Sequence, residues 1–354
     1  MNKPFSLLRN AFAVAGLLAA AHAQAANSYR IDALDFQALD INSSGTIVGT
    51  KGAFGDGPIV YSGGVKTDLN MLLSGSRPTI SDNGLISIRD SMVYDPLTGT
   101  LSGGYLNLGG GGRGGSNVIA TTGINNDGSI VGYVFDTSGG LDGDPKATVV
   151  KNGQLTLLPT LGGNSTAAAI NNHDLIVGSA QIEPQFMAAE HAFKYDGTTL
   201  TDLGVLPGGR SSYANAVNDA GQVAGASSTT DDYSDEKTHA FITSPTGLVD
   251  LGLLAGDEQS SAKGLNNLGQ VVGYSRKWTS VVTPDGVTSL LDSRAFIYSS
   301  AGGMQRPEHL AAGLAQSRLG ARKRRRHQRQ RDHLRQRHPQ RRAHRLRADA
   351  SARA

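Results

Sequence analysis

Residues 170–206 read INNHDLIVGSAQIEPQFMAAEHAFKYDGTTLTDLGVL, from Ile170 to Leu206. Short apolar runs (Ile176-Val177, Ala192–Tyr195, Leu200–Leu203) alternate with clusters of Asn, Asp and Gly. Residues that tolerate positive φ between short β-type runs signal tight hairpin turns. The Asn171 segment therefore reads as strand, turn, strand. The aromatic run and the Asp202-Leu203-Gly204 run form a second pair, joined at Tyr195-Asp196-Gly197.

The pattern recurs. An apolar residue, Asn, two polar residues, Gly, any residue, two small apolar residues and Gly appear as INSSGTIVG (Ile41–Gly49), INNDGSIVG (Ile124–Gly132), VNDAGQVAG (Val217–Gly225) and LNNLGQVVG (Leu265–Gly273). INNHDLIVG at Ile170–Gly178 has Asp174 for the first Gly, and ISDNGLISI at Ile80–Ile88 has Ser81 for Asn. The second positions are 42, 81, 125, 171, 218 and 266, spaced 39, 44, 46, 47 and 48 apart. His191-Ala192-Phe193, His239-Ala240-Phe241 and Arg294-Ala295-Phe296 follow their copies. Asp202-Leu203-Gly204 and Asp250-Leu251-Gly252 come next. Repetition at this period marks a repeat architecture. Four strands in about 47 residues is the size of a β-propeller blade, whereas a β-solenoid coil is about half that length or less. An all-β propeller is the expected fold, with a β-solenoid second.

Residues 26–354 number 329, seven times 47. That arithmetic suggests seven blades, of which six are recognisable. Tyr29–Leu34 reads as a lone fourth strand that closes the ring against its other end.

The motifs resemble the HAF-repeat family of bacterial proteins assigned to the extracellular space. The similarity covers residues 29–304, is close in the three copies between 124 and 273, and is weak before residue 100. It implies location and repeat architecture, not chemistry.

Other features fit export. Lys3 and Arg9 precede the apolar run Ala11–Ala21, and Ala21-His22-Ala23 and Ala23-Gln24-Ala25 satisfy the small-x-small rule, so residues 1–25 read as a signal peptide. The run is too short to span a bilayer, and nothing later is apolar enough to do so. A soluble, monomeric, secreted domain over 26–304 is expected, in the periplasm or outside the cell. The chain has no Cys, which excludes disulfides, thiolate metal sites and a Cys nucleophile. Its 46 Gly in 354 residues are too many for a helical bundle.

The formal charge of +3 conceals a split: 16 basic and 3 acidic residues lie from 305 onward, leaving 17 and 27 before it. A basic tail ordinarily suggests a nucleic-acid or membrane arm. Here the repeat predicts an Asp-Leu segment, an Asn motif and a further aromatic segment after Phe296, and none appears. Reading each codon one nucleotide downstream recovers them. Arg306–Ala311 then permits DLNTLL, close to DLNMLL at Asp68–Leu73. His327–His333 permits INDSGII, with Gly at 335, and His344–Asp349 permits TAFVLT. The Arg-rich tail over 305–354 thus reads as out of frame, irregular, and without a specific nucleic-acid partner.

Candidate sites are few. Asp142 and Asp144, in DTSGGLDGD, and Asp231, Asp232, Asp235 and Glu236, in DDYSDE, offer carboxylates for Ca²⁺, a hard cation wanting six to eight oxygens. Both segments fall between the Asn hairpin and the aromatic strand, so both belong on one rim. They lack the further ligands of an EF-hand loop, and solvated surface loops explain them better. Asn42, Asn125, Asn171, Asn218, Asn266, His191, His239, Asp202 and Asp250 recur with the repeat and are expected to be structural. Arg294 at the histidine position argues against a shared metal role. No catalytic residue, cofactor or metal set stands out: Gly109–Gly115 lacks the helix and Lys-Ser/Thr of a phosphate loop, and no nucleophile elbow occurs. The expectation is an extracellular or periplasmic binding or structural module. The alternative is a propeller enzyme acting on a polysaccharide.

Overall fold

The computed structural model describes residues 5–6, 29–30, 34–51, 57–69, 77–88, 92–103, 120–136, 144–185, 187–232, 237–283 and 286–307. The chain divides into two compact units, Met1–Ala23 with Tyr29–Pro307, and Gln24–Ser28 with Glu308–Ala354. The second unit lies outside the described residues. Among the described residues no helix is long and apolar enough to cross a membrane.

Six four-stranded antiparallel sheets follow one another along the chain. Blade 1 is Gln37–Ile41, Ile47–Thr50, Pro58–Ser62 and Val65–Asp68; blade 2 is Thr79–Ile80, Ile86–Ile88, Met92–Asp95 and Thr100–Ser102. Blade 3 is Ala120–Ile124, Ile130–Asp136, Asp144–Lys151 and Gln154–Leu157; blade 4 is Ser165–Ile170, Ile176–Gln181, Glu190–Tyr195 and Leu200–Asp202. Blade 5 is Ser212–Val217, Val223–Ser228, Thr238–Ser244 and Gly247–Asp250; blade 6 is Gln259–Leu265, Val271–Thr283, Gly286–Ser299 and Gly303–Gln305. Strands pair in chain order within each sheet, and the first strands of successive blades touch, which sets them innermost. The fold is a six-bladed β-propeller. A solenoid would pair strands between successive coils; here every pairing among the blades is inside one repeat.

The motif explains itself in this setting. Its Asn carbonyl oxygen accepts two main-chain N–H groups across the turn: in blade 4, Asn171 Oδ1 accepts from His173 at 2.9 Å and Leu175 at 2.9 Å. The first motif Gly takes positive φ, as Gly221 does at +77°, and Asp174 holds the same region at φ +60°. Asp tolerates this conformation better than most side chains, so the substitution keeps the turn.

The final motif Gly serves packing. The inner strand carries a β-bulge beside it in five blades, for example between Ala214 and Ala216. A Cβ on Gly225 would lie 1.9 Å from the Tyr213 carbonyl oxygen and 2.9 Å from the Phe241 ring. Phe241 pairs with Gly225 in the ladder, so the ring lies over the space the Gly leaves. Gly178 with Phe193 and Gly273 with Phe296 repeat the arrangement, and all three rings are at most 1% exposed.

The core lies between blades. Val131, Ala147 and Leu158 of blade 3 cluster with Ala167, Ile176 and Phe193 of blade 4. Val177, Ala192 and Leu206 meet Ala214, Val223 and Phe241 at the next junction. Ala224, Ala240 and Leu254 meet Ala262, Val271 and Phe296 at the one after.

Two features differ from the sequence reading. Tyr29–Arg30 pairs in parallel with Phe5–Ser6 and joins none of the blades, and residues 31–33 lie outside the described residues. Blade 6 also carries a long two-stranded arm, in register from Lys277↔Asp292 to Thr283↔Gly286. Trp278 and Leu291 pair across it and are both exposed.

Candidate functional site

Hydrogen bonds tie each blade to the next along two parallel rails on the Asn-turn rim. On the first, an Asn side chain donates to the main-chain oxygen of the following turn: Asn42 to Ser81 at 3.2 Å, Asn125 to Asn171 at 3.3 Å, Asn171 to Asn218 at 2.9 Å and Asn218 to Asn266 at 3.0 Å. Between blades 2 and 3, Asn83 donates to Asn126 instead, at 2.8 Å. On the second, the next main-chain N–H donates to a side-chain oxygen one blade on: Ser43 to Asp82, Asn126 to Asn172, Asn172 to Asp219, and Asp219 to Asn267. Burial alone would push Asp219 up, but hydrogen bonds from Asn172 and Asn267 outweigh it and hold its carboxyl below the usual range.

His191 and His239 make one contact twice. Nδ1 of each lies 2.8 Å from a carboxylate oxygen of Asp202 or Asp250 respectively. The same Asp accepts the main-chain N–H of Gly204 or Gly252, at 2.7 Å in each case. The pair thus fastens the outer strand and its exit turn, and each imidazole is taken up by one carboxylate. Arg294 replaces the His in blade 6 and pairs with Asp257.

Among the described residues no group of three His, Asp or Glu is placed to hold a metal. Asp144 begins the third strand of blade 3 and Asp231 follows the second strand of blade 5. Asp142, Asp235 and Glu236 lie outside the described residues.

The opposite rim carries a cleft of about 200 Å³ between blades 4 and 5. Gln181, Glu190, Arg210, Ser211, Tyr213 and Asp232 line it. Its walls are tied together. Arg210 Nη2 donates to the Met187 carbonyl at 2.9 Å, clasping the blade 4 loop to the strand entering blade 5. Ser228 Oγ accepts the N–H groups of Arg210 at 2.7 Å and Ser211 at 2.9 Å. Ser179 donates to Glu190 at 3.0 Å. One guanidinium, two carboxylates, hydroxyls and one phenol ring therefore converge on a braced polar hollow. Of these residues only Asp232 was among the sequence candidates. Arg210, Glu190 and Tyr213 are not repeated at the equivalent positions of the other blades, so the repeat pattern gives no signal for them.

No protein-family model matches the chain, and no curated protein matches it. Among solved structures, it is similar to the β-propeller domain of the Trilobed protease from Pyrococcus furiosus. The TM-score is 0.45 at 11% identity, over 75% of this chain and 82% of that one.

Proposed function

We propose that the chain is an exported binding or structural module that takes a polar ligand in the rim cleft between blades 4 and 5. The observation that carries this is the convergence of Arg210, Glu190, Asp232 and Tyr213 on one hollow. Donors, acceptors and one phenol suit a hydroxyl-rich ligand such as a saccharide unit, where orientation comes from a few placed polar groups. The hollow is small beside ligand pockets of roughly 300–1,000 Å³, which fits one unit of a longer chain held at the surface. The test is equilibrium binding to a panel of neutral and acidic oligosaccharides, with Tyr213→Ala and Glu190→Gln as variants. Binding that either variant weakens about tenfold supports the reading; binding unaffected by both overturns it.

Glu190 and Asp232 in one cleft also keep open polysaccharide cleavage, which commonly uses two carboxylates. Product release from the same panel, abolished by Glu190→Gln, is what that reading requires. Export rests on the N-terminal motif alone, and N-terminal sequencing of the secreted protein should begin at Gln24 or Ala26.

A further inference from the structure

The blade-to-blade devices all stop at blade 6. Asn266 Nδ2 donates to Gln270 Oε1 within its own blade. Among the described residues no rung of either rail joins blade 6 to blade 1. On the inner strand, Thr122 donates to Ala167 of the next blade at 2.9 Å and Asn215 to Ala262 at 2.8 Å. Lys263, at the same offset, lies only over the Tyr274 ring. The Ala of the aromatic segment tells the same story. Ala147, Ala192 and Ala240 are 0% exposed against the following blade. Their N–H groups donate to Ser165, Ser212 and Ser260 there. Ala295 is exposed.

Blade 6 also has a charge in the wrong place. Asp68 stands opposite Ile59, Asp202 opposite Phe193 and Asp250 opposite Phe241. Each of these carboxylates has a nitrogen partner on its own blade: Lys51, His191 and His239. In blade 6 the register ends at Ile297↔Gln305, so one step further sets Arg306 opposite Phe296. Arg294 stands at the His position, paired with Asp257 of its own blade and with its Nε 3.6 Å from the Asp292 carboxylate. An Arg therefore stands in register where three other blades carry an Asp, on the strand paired with the one that carries Arg294. In the next reading frame, codon 306 can encode Asp.

The other side of the seam is prepared too. Leu34 and Phe36 pack on Ala38, Ile47 and Ile59 of blade 1. Leu251 and Leu254, leaving blade 5, pack in the same way on Ala262 and Val271 of blade 6. The residues before blade 1 thus lie where the exit of a preceding blade lies.

We propose that the seam between blades 6 and 1 receives a seventh blade, whose strands are specified in the next reading frame from codon 306 onward. Its turn, INDSG, would take the Asn266 amide on its main-chain oxygen. Its aspartate at 306 would meet Arg294.

Three chains test this by thermal melting: the chain as given, the same chain with Arg306→Asp, and the chain with the next frame restored from codon 306. Arg306→Asp should raise the melting point by about 2–4 °C, and the restored chain should melt higher still. Asn266→Asp keeps the turn-forming oxygen and removes the donor. It should lower melting by about 2–4 °C in the restored chain and leave the chain as given within about 1 °C. An unchanged melting point for Arg306→Asp, or an equal effect of Asn266→Asp in both backgrounds, overturns the proposal.

Discussion

Asn218 Nδ2 donates to the main-chain oxygen of Asn266 at 3.0 Å, across 48 residues and one blade junction. The same side chain accepts the Gln222 N–H through Oδ1 at 2.9 Å, closing its own turn. One amide thus does two jobs that can be separated. Asn218→Asp retains the acceptor and loses the inter-blade donor, so it should cost about 1 kcal/mol. Asn218→Ala loses both and leaves buried main-chain groups unpaired, so it should cost about 2–3 kcal/mol. Urea unfolding of the two variants checks the order. Equal costs would mean that the donor adds nothing between blades.

The second prediction concerns Gly225. Its Cβ would collide with a main-chain oxygen at 1.9 Å, and that oxygen belongs to the bulged inner strand, which cannot rotate away. Gly225→Ala should therefore cost at least about 3 kcal/mol, above the usual range for overpacking. Gly197, with open space where a Cβ would go and φ of +95°, should suffer only from its backbone conformation, about 1–2 kcal/mol. Comparing Gly225→Ala with Gly197→Ala by chemical denaturation separates steric exclusion from turn strain.

How the blades are made was readable from the sequence because hairpin chemistry is local. Asn, Gly and the apolar pairs that decide a turn lie within nine residues of one another, as in Val217–Gly225. How blades join was not, because the partners of Asn171 and Asn218 lie 47 and 48 residues away. Repetition says only that such residues are equivalent, never what they touch. The long arm of blade 6 was missed for another reason: its extra residues break the period instead of following it, although Thr283-Pro284-Asp285-Gly286 is turn chemistry. The cleft was invisible because Glu190 comes from one segment and Arg210 and Tyr213 from another, and only one pair of blades brings them together.

The His–Asp pairs should matter less than their repetition suggests. In His191–Asp202 the side chains retain 18% and 40% of their exposure, and exposed ion pairs contribute about 0–1 kcal/mol. His191→Ala should thus change the unfolding free energy by less than about 1 kcal/mol, well below the Asn218→Ala effect. Asp202→Ala should cost more than His191→Ala, because it also releases the Gly204 N–H. A double-mutant cycle measures the coupling, and a value above about 2 kcal/mol would show that the pair is a main fastening of the outer strand.

Asp40 should make the junction of blades 1 and 2 sensitive to pH. Its Oδ2 accepts the Ile80 N–H across the junction at 2.9 Å, and its Oδ1 accepts the Ile41 N–H at 2.8 Å. Burial pushes its carboxyl up to about 6, against those two hydrogen bonds and with a further upward push from Asp82. A carboxyl whose pKa is higher folded than unfolded binds more protons in the folded state, so its contribution to stability falls as pH rises. That contribution is full below about pH 4 and lost by about pH 6 to 7, and amounts to something on the order of 1 kcal/mol for a partly exposed side chain. Most carboxylates, held low by their partners, give the opposite slope. Asp40→Ala should unfold more easily at every pH, since two N–H groups lose their acceptor, yet its stability should decline less between pH 4 and 7 than that of the parent chain. Melting curves of the two proteins across that range decide it. Parallel profiles would mean that Asp40 titrates near its ordinary value and that the blade 1–2 junction holds a carboxylate throughout.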